Sequence, residues 1–253
     1  MEHSGRHALV TGGGTGIGLA IARALAEAGA KVTITGRNAH ALQTAAESHP
    51  NLHPLVMDVT DEAAVRSGIA AAADRHGPVS ICIANAGIAE GVAFRKMTLA
   101  QWRATQTTNL DGVFLTLQAA MATLGRDDWG RMIAISSIAG VRGLKGAVHY
   151  TASKHGVIGL IRGLSEEYMG SNITFNALCP GYVDTPIVTR NAAAISTQTG
   201  ITAEQATDAL ARANRHKKLL EVDEIAAAAL WLCSHGARSV NGQSIQIAGG
   251  QVS

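Results

Sequence analysis

The sequence is poor in the residue types that mark several classes of protein. Its three cysteines, at positions 82, 179 and 233, form no Cys-x-x-Cys pair, so we predict buried free thiols and neither disulfides nor a metal site. Aromatic residues make up only 4% of the chain. No apolar run approaches the roughly 18–20 residues of a membrane span, and the N-terminus lacks the apolar segment of a secretory signal. These absences predict a cytoplasmic protein that has no membrane partner.

Strong charge of either sign is also missing. Lys and Arg total 21 and Asp and Glu total 19, and this near balance predicts no nucleic-acid partner. Apolar residues make up 47% of the 253 positions, which is typical of a globular protein with a well-filled core. We find no linker, repeat or low-complexity tract, so we predict one domain over residues 1–253.

What the chain does have is a regular alternation of short β-rich runs with Ala- and Leu-rich helical stretches. The predicted strands lie at 7–11, 31–35, within 52–59, within 80–87, and at 131–137, 172–180 and 244–248. Near-continuous apolar strands separated by helices indicate a parallel sheet with both faces covered. The predicted fold is therefore α/β, a doubly wound parallel sheet of about seven strands.

A glycine-rich loop, TGGGTGIG at residues 11–18, joins the first strand to the first helix. Glycines at this place let the backbone turn tightly and approach a pyrophosphate at the positive helix N-terminus. The spacing Gly12-x-x-x-Gly16-x-Gly18 is neither G-x-G-x-x-G nor a P-loop, which ends in Gly-Lys-Ser/Thr. We interpret the loop as a dinucleotide site, and a turn that merely tolerates glycine is the alternative.

The residue after the second strand bears on the choice of dinucleotide. A carboxylate there would bind the ribose 2′-hydroxyl of NAD, whereas a cation accommodates the 2′-phosphate of NADP. The sequence has Gly36-Arg37, and a guanidinium forks onto phosphate oxygens. We therefore favour NADP(H), and NAD(H) stays open because Arg37 is a single cation.

The stretch YTASK places Tyr150 and Lys154 four positions apart, which puts them on one face of a helix. Most such pairs only decorate a surface, so the rest of the chain must decide. Asp58-Val59 follows the third strand and Asn85-Ala86-Gly87 the fourth, while Asn109, Ser137 and Pro180-Gly181 come later. With the glycine loop and the closing NGQ…GG, these motifs in this order resemble the short-chain dehydrogenase/reductase family, in its compact single-domain branch with a Rossmann-like fold.

The resemblance covers essentially the whole chain and implies roles for single positions. It implies a catalytic set of Asn109, Ser137, Tyr150 and Lys154. It implies a cofactor site formed by Gly12, Gly14, Thr15, Gly16, Ile17, Gly18, Arg37, Asp58, Val59, Asn85, Ala86, Gly87, Tyr150, Lys154, Pro180, Gly181, Val183 and Thr185. The implied reaction interconverts a ketone and a secondary alcohol by hydride transfer to or from NAD(P)(H).

The chemistry accounts for these residue types. A carbonyl that receives a hydride needs a proton at its oxygen, and a tyrosine, with an ordinary pKa of about 10, is a weak acid. We predict that the Lys154 ammonium lowers the pKa of Tyr150. Ser137 would hydrogen-bond the carbonyl oxygen, and the family implies that Asn109 positions a water in a proton relay from Lys154.

The substrate is predicted less sharply. The loops 88–98, 138–149 and 182–216 follow strand ends, and we expect residues 187–216 to form a lid over the substrate. Glu90 and Asp184 stand on these loops. Among the cations there, Arg95, Arg142 and Lys145 would meet an anionic or phosphate-bearing acyl thioester or remain solvated. The motifs look closest to 3-oxoacyl reductases and 3-hydroxyacyl dehydrogenases, followed by polyketide-type ketoreductases and dehydrogenases of other small or cyclic alcohols.

Other classes of function remain open at this point. Ser136-Ser137 with His149 would serve acyl hydrolysis, but the chain has no G-x-S-x-G elbow. A nucleotide-sensing regulator would not need the Ser/Tyr/Lys set. A nucleotide-sugar epimerase would need a substrate domain that this chain is too short to hold. The helices 101–124 and 151–169 carry apolar residues beyond one stripe, and with the family resemblance this predicts a homotetramer.

Overall fold

The computed structural model describes residues 2–125 and 128–251, which fold around a sheet of seven parallel strands. The strands are β1 His7–Thr11, β2 Lys31–Gly36, β3 Leu52–Val56, β4 Val79–Ala84, β5 Gly130–Ile135, β6 Ile173–Pro180 and β7 Ser244–Ile247. Their spatial order is β3-β2-β1-β4-β5-β6-β7. The chain therefore reverses direction across the sheet between β1 and β4, where crevices for ligands form in such sheets. The predicted fold class is confirmed.

Helices cover both faces of the sheet. They are α1 Gly16–Glu27, α2 Ala39–Ala46, α3 Glu62–His76, α4 Leu99–Gln106, α5 Gly112–Met121, α6 Val148–Glu167, α7 Pro186–Thr199, α8 Ala203–Ala213 and α9 Val222–Cys233. One apolar cluster joins α1, α2 and α9 to the sheet, and a second joins α3, α5 and α6 to the opposite face. Neighbouring strand residues such as Ala8 and Leu9 belong to opposite clusters because side chains alternate along a strand.

Two polar side chains and a glycine set the ends of three of the helices. Asp61 accepts a hydrogen bond from the backbone N–H of Ala64, so α3 begins one residue after it. Asn38 caps α2 in the same way, through the backbone N–H of Ala41. Gly29 follows α1 with a φ of 98°, a left-handed conformation that ends the helix.

The helix predicted over residues 101–124 is interrupted. A π-helical turn, Thr107–Asp111, separates α4 from α5, and the N–H of Gly112 bonds the carbonyl of Thr107. Such turns insert an extra residue into a helix and are frequent at functional sites. This one turns Asn109 into the interior, where it is fully buried.

In the part of the chain that the structure describes, no helix is long and apolar enough to cross a membrane.

Candidate active site

A cavity of about 370 Å³ opens at the carboxyl edge of the sheet. Its walls come from the glycine loop after β1, from the segments after β4, β5 and β6, and from α7 and α8. The carboxyl ends of parallel strands meet at this edge, which is where doubly wound sheets bind ligands. Ser137, which follows β5, and Tyr150 and Lys154 on α6 all line this one space.

The glycine loop is packed too closely for side chains at particular positions. A Cβ on Gly18 would clash with the carbonyl oxygen of Gly12 and with Nδ2 of Asn85, and Gly12 itself has a φ of 65°. By contrast, a Cβ on Gly14 would come no closer than 3.5 Å to any neighbour. The loop is thus a backbone cradle at the N-terminus of α1, as a bound pyrophosphate requires. The residues present fit a dinucleotide.

Thr11 holds this cradle to the end of β4. Its hydroxyl oxygen accepts hydrogen bonds from the backbone N–H groups of Asn85 (3.0 Å) and Ala86 (3.1 Å). The Asn85 side chain returns the contact by donating to the carbonyl of Thr11 at 2.8 Å. Sequence reasoning missed Thr11, although its place as the last residue of β1 was the signal that it faces the switch point.

Arg37 and Asp58 meet at the adjacent end of the site. Nη1 of Arg37 lies 3.9 Å from Oδ2 of Asp58, and the Arg37 side chain is 73% exposed. Asp58 accepts hydrogen bonds from the backbone and hydroxyl of Thr60, which hold the pKa of its carboxyl below the usual range, with a smaller contribution from Arg37. Val59 is buried against Gly112, whose missing side chain leaves room for it. Val59 therefore has only its backbone to offer a ligand.

Lys154 is only 4% exposed and sits between β5 and the cavity. Its Nζ donates to the carbonyl of Ile135 at 2.8 Å and lies 5.7 Å from the ring centre of Tyr150. Burial lowers the pKa of Lys154 to about 8. This amine is therefore much closer to losing its proton near neutral pH than an exposed lysine is.

Burial raises the pKa of Tyr150, and a hydrogen bond with Ser137 only partly opposes that effect. The prediction that Lys154 lowers this pKa is therefore wrong for the chain alone. The physical reason is that desolvation disfavours the phenolate more than the neighbouring groups stabilise it. Ser137 is also held in place, because its hydroxyl oxygen accepts the backbone N–H of Ala139 at 3.1 Å.

Asn109 is fixed by the loop after β4. Its Oδ1 accepts the N–H of Ile88 and its Nδ2 donates to the carbonyl of the same residue, both at 2.8 Å. Nδ2 also lies 3.3 Å from the hydroxyl of Ser153 on α6. Gly87 lies between Asn109 and Lys154. A Cβ on Gly87 would be 3.2 Å from Oδ1 of Asn109 and 3.6 Å from Nζ of Lys154. The Asn109 side chain thus positions the Asn-Ala-Gly segment beside the amine.

The segment after β6 forms the wall opposite α6. Pro180, Gly181, Val183 and Thr185 all line the cavity, and Thr185 also contacts the glycine loop, 3.4 Å from the position of a Cβ on Gly16. Sequence reasoning missed Asn214, which is fully buried and hydrogen-bonded to both backbone groups of Tyr182. No local pattern announces this contact because 32 positions separate the two residues.

The mouth of the cavity is formed by two loops tied together by the N–H of Val92 and the carbonyl of Gly146, 2.8 Å apart. Glu90 and Lys145 stand on these loops and line the cavity. Arg95 and Arg142 are not among its lining residues, and Arg142 instead donates to the carbonyl of Gln251 at 3.2 Å. Of the three cations predicted near the mouth, one faces the cavity.

A nucleophilic serine site is not formed. The hydroxyl of Ser136 donates to the carbonyl of Lys154 at 3.0 Å, so it supports α6 rather than facing a base. His149 is buried with a pKa lowered by burial, and its Nδ1 has no hydrogen-bond partner. His155 bonds the carbonyl of Thr151 within its own helix. No histidine is hydrogen-bonded to either serine in the described segments 2–125 and 128–251.

The family model described as short chain dehydrogenase matches residues 6–196. The chain belongs to the short-chain dehydrogenase family. As a member it is an oxidoreductase of the dehydrogenase/reductase type that uses a nicotinamide dinucleotide, which agrees with the cradle and cavity described above. The resemblance read from the sequence is confirmed.

Relatives within this short-chain dehydrogenase family extend over most of the chain. A granaticin polyketide synthase putative ketoacyl reductase from Streptomyces violaceoruber is 37% identical over 249 residues, 96% of this chain and 92% of that protein. The 3-oxoacyl-acyl-carrier-protein reductase MabA of Mycobacterium tuberculosis is 39% identical over 180 residues, 71% of this chain and 70% of that protein. The crystal structure of an actinorhodin polyketide ketoreductase variant with NADPH superposes with a TM-score of 0.94 at 31% identity, covering 99% of this chain and 98% of that one.

Proposed function

We propose that this oxidoreductase reduces the ketone of a 3-oxoacyl or polyketide-type substrate with NADPH. The observation that carries the proposal is that Ser137, Tyr150 and Lys154 line the same cavity as Ile17 of the glycine loop. The relatives named as ketoacyl and 3-oxoacyl reductases support this class of substrate. In the reverse direction the same residues would oxidise a secondary alcohol.

The glycine loop, Asp58, Val59 and the Asn85–Gly87 segment would hold the adenosine and pyrophosphate end of the dinucleotide. The Pro180–Gly181 backbone with Val183 and Thr185 would hold the end that reaches the cavity. When bound, the dinucleotide supplies the hydride. The chain itself has to orient the carbonyl, exclude water and deliver a proton.

Tyr150 is the proton donor in this proposal, because burial keeps its phenol protonated beside the cavity. Ser137 would hydrogen-bond the same carbonyl oxygen and stabilise the charge that develops there. Lys154 would return a proton to Tyr150, and a pKa of about 8 makes its ammonium a ready donor. Asn109 would keep the segment beside Lys154 in place through its two bonds to Ile88.

We propose that Arg37 makes NADPH the preferred cofactor over NADH. Its guanidinium is exposed at the end of β2, and its distance of 3.9 Å from Asp58 leaves donors for a 2′-phosphate. Arg37→Asp should lower kcat/KM for NADPH about tenfold or more, because a charge-assisted contact is replaced by repulsion. Arg66→Asp, an exposed arginine on α3, is the control. An unchanged NADPH preference in Arg37→Asp would refute this assignment.

The substrate pocket is proposed to be closed by α7 and α8, the lid expected at about residues 187–216. Ile187, Val188, Ile195 and Leu210 turn apolar side chains into the cavity. A substrate that buries an acyl or ring portion against this surface would gain roughly 25 cal/mol for each Å² of apolar area removed from water. Small polar ketones would gain little from it.

The assembly is proposed to be a homotetramer in the cytoplasm. Leu99, Phe114 and Val148, on α4, α5 and α6, are exposed large apolar side chains, and pairing of these helices between copies would cover them. All three cysteines are buried free thiols, which supports a reducing compartment. Light scattering that gives a monomer mass would reject the tetramer.

The proposed reaction is tested by following nicotinamide absorbance with NADPH and NADH against 3-oxoacyl thioesters, cyclic and linear ketones and secondary alcohols. Tyr150→Phe should abolish turnover and leave NADPH binding intact. Tyr168→Phe, near the C-terminal end of the same helix and packed on Phe175, is the matched control and should keep its activity. If the purified protein binds NADPH but turns over none of these substrates, the proposed function is wrong and a dinucleotide-sensing role becomes the alternative to test.

A further inference from the structure

Asn214 lies at the junction between the lid and the segment that follows β6. It comes directly after α8, and its side chain is fully buried. Its Oδ1 accepts the N–H of Tyr182 at 3.1 Å, while its Nδ2 donates to the carbonyls of Tyr182 at 2.9 Å and Lys218 at 2.7 Å. One side-chain amide therefore ties together three backbone groups of two separate segments.

The surrounding backbone is built to present this amide. The carbonyl of Asn214 accepts the N–H of Lys217 at 2.8 Å, and Lys217 has a φ of 59°, the left-handed region that residues other than glycine seldom adopt. That turn brings the carbonyl of Lys218 back to the Asn214 side chain. Next along the chain, the N–H of Leu220 also bonds the carbonyl of Tyr182, so the lid returns to the sheet beside the active site.

Gly181 shows how closely Asn214 approaches the cavity wall. A Cβ on Gly181 would lie only 2.6 Å from Oδ1 of Asn214 and 3.2 Å from Cα of Ala248. Both Gly181 and Tyr182 line the cavity, whereas Asn214 does not. Asn214 therefore touches the back of the wall whose front faces the ligand.

We propose that Asn214 is a positioning residue that fixes the Gly181–Tyr182 backbone for cofactor binding and anchors the C-terminal end of the lid to it. This inference rests on the proposed function, in which that backbone holds the dinucleotide. Ser137 follows β5, Tyr150 and Lys154 stand on α6, and none of the three receives a hydrogen bond from Asn214. Loss of the amide should thus weaken cofactor binding more than it slows the chemical step.

The test compares the wild type with Asn214→Ala and with Asn214→Asp, which keeps the shape but places an acceptor against two carbonyl oxygens. We expect the NADPH Kd and KM to rise about tenfold and kcat to fall less than about threefold, because a displaced binding wall costs affinity before it disturbs the catalytic groups. Amide hydrogen exchange should quicken in residues 180–184 and in the lid.

Asn176→Ala is the matched control for a purely structural role. Asn176 is also a buried amide that joins two backbone groups, the carbonyl of Val240 and the N–H of Gln243, but it does not line the cavity. This variant should lose stability and keep the wild-type NADPH Kd. The inference is overturned if the Asn214 variants bind NADPH within about twofold of wild type, or if Asn176→Ala weakens binding equally.

A second variant disturbs the contact between Asn214 and the Gly181–Tyr182 backbone while keeping the Asn214 side chain. Gly181→Ala should displace Asn214 and reproduce the loss of NADPH affinity, and adding Asn214→Ala should make the two effects less than additive. Additive effects would count against the inference. If Asn214→Asp does not fold, Gly181→Ala and the double variant still test the inference. A wild type that binds no dinucleotide would instead overturn the proposed function, and this inference with it.

Discussion

Replacement of Lys154 by methionine should abolish activity and make the protein more stable. Lys154 is 4% exposed, and burial lowers its pKa from 10.5 to about 8. At about 1.36 kcal/mol for each pKa unit, keeping this ammonium charged at neutral pH costs about 3 kcal/mol. The variant also loses the hydrogen bond from Nζ to the carbonyl of Ile135, which costs about 1 kcal/mol of stability. Lys154→Met should therefore raise the free energy of unfolding by about 2 kcal/mol at pH 7.

The dependence on pH distinguishes this electrostatic cost from better packing. Because the pKa is lower in the folded than in the unfolded protein, the wild type gains stability as the pH rises from about 8 towards 10.5. Methionine has nothing to titrate, so the advantage of Lys154→Met should shrink by about 2 kcal/mol between pH 7 and pH 9.5.

Urea unfolding followed by circular dichroism at both pH values, at one protein concentration, measures the difference. Lys96→Met, at an exposed position outside the cavity, is the control and should change the free energy of unfolding by less than about 0.5 kcal/mol at either pH. An electrostatic cost at Lys154 is ruled out if Lys154→Met is less stable than wild type at pH 7, or if its advantage stays the same at pH 9.5.

Three further predictions concern stability and the cradle. Burial lowers the pKa of His7 to about 4, so the free energy of unfolding should fall by about 2 kcal/mol as the pH drops from 7.5 to 5. In His7→Gln the free energy of unfolding, measured by urea denaturation, should change less over this pH range. Gly18→Ala should lower the free energy of unfolding by about 2 kcal/mol and weaken NADPH binding, because its Cβ would clash with Gly12. Gly14→Ala, which has room for a Cβ, should match the wild type in the same urea denaturation. Thr11→Val should cost about 3 kcal/mol by leaving two backbone N–H groups unpaired, and Thr11→Ser should restore most of it; equal losses would contradict this.

The fold could be predicted because its signals are local and repeated. Each buried strand is a short apolar run, and caps such as Asp61 and the glycine after α1 mark helix ends within a few residues. A parallel sheet then brings the residues that follow each strand to one edge. That is why Ser137 and Asn85, predicted from separate motifs, line the same cavity.

What escaped prediction depends on contacts between distant segments. The π turn at Thr107–Asp111 has no composition of its own, and it is visible only in the hydrogen-bond register of the helix. In the sequence Asn214 is an ordinary polar residue after a helix, and its hydrogen bonds to Tyr182, 32 positions away, exist only in the folded chain. The direction of the pKa change at Tyr150 depends on how far the phenol is buried, and sequence spacing carries no information about that.

Burial shifts the pKa values of Tyr150 and Lys154, which both line the cavity, towards their neutral forms. Burial keeps the proton on Tyr150, and a phenol that holds its proton is the form that can donate to a ketone oxygen. Lys154, with a pKa of about 8, is still mostly protonated at pH 7 and can restore that proton. Alcohol oxidation needs the opposite state, a phenolate, which this environment disfavours. In the function proposed above, burial therefore already holds Tyr150 in the protonated form that would donate to a ketone oxygen.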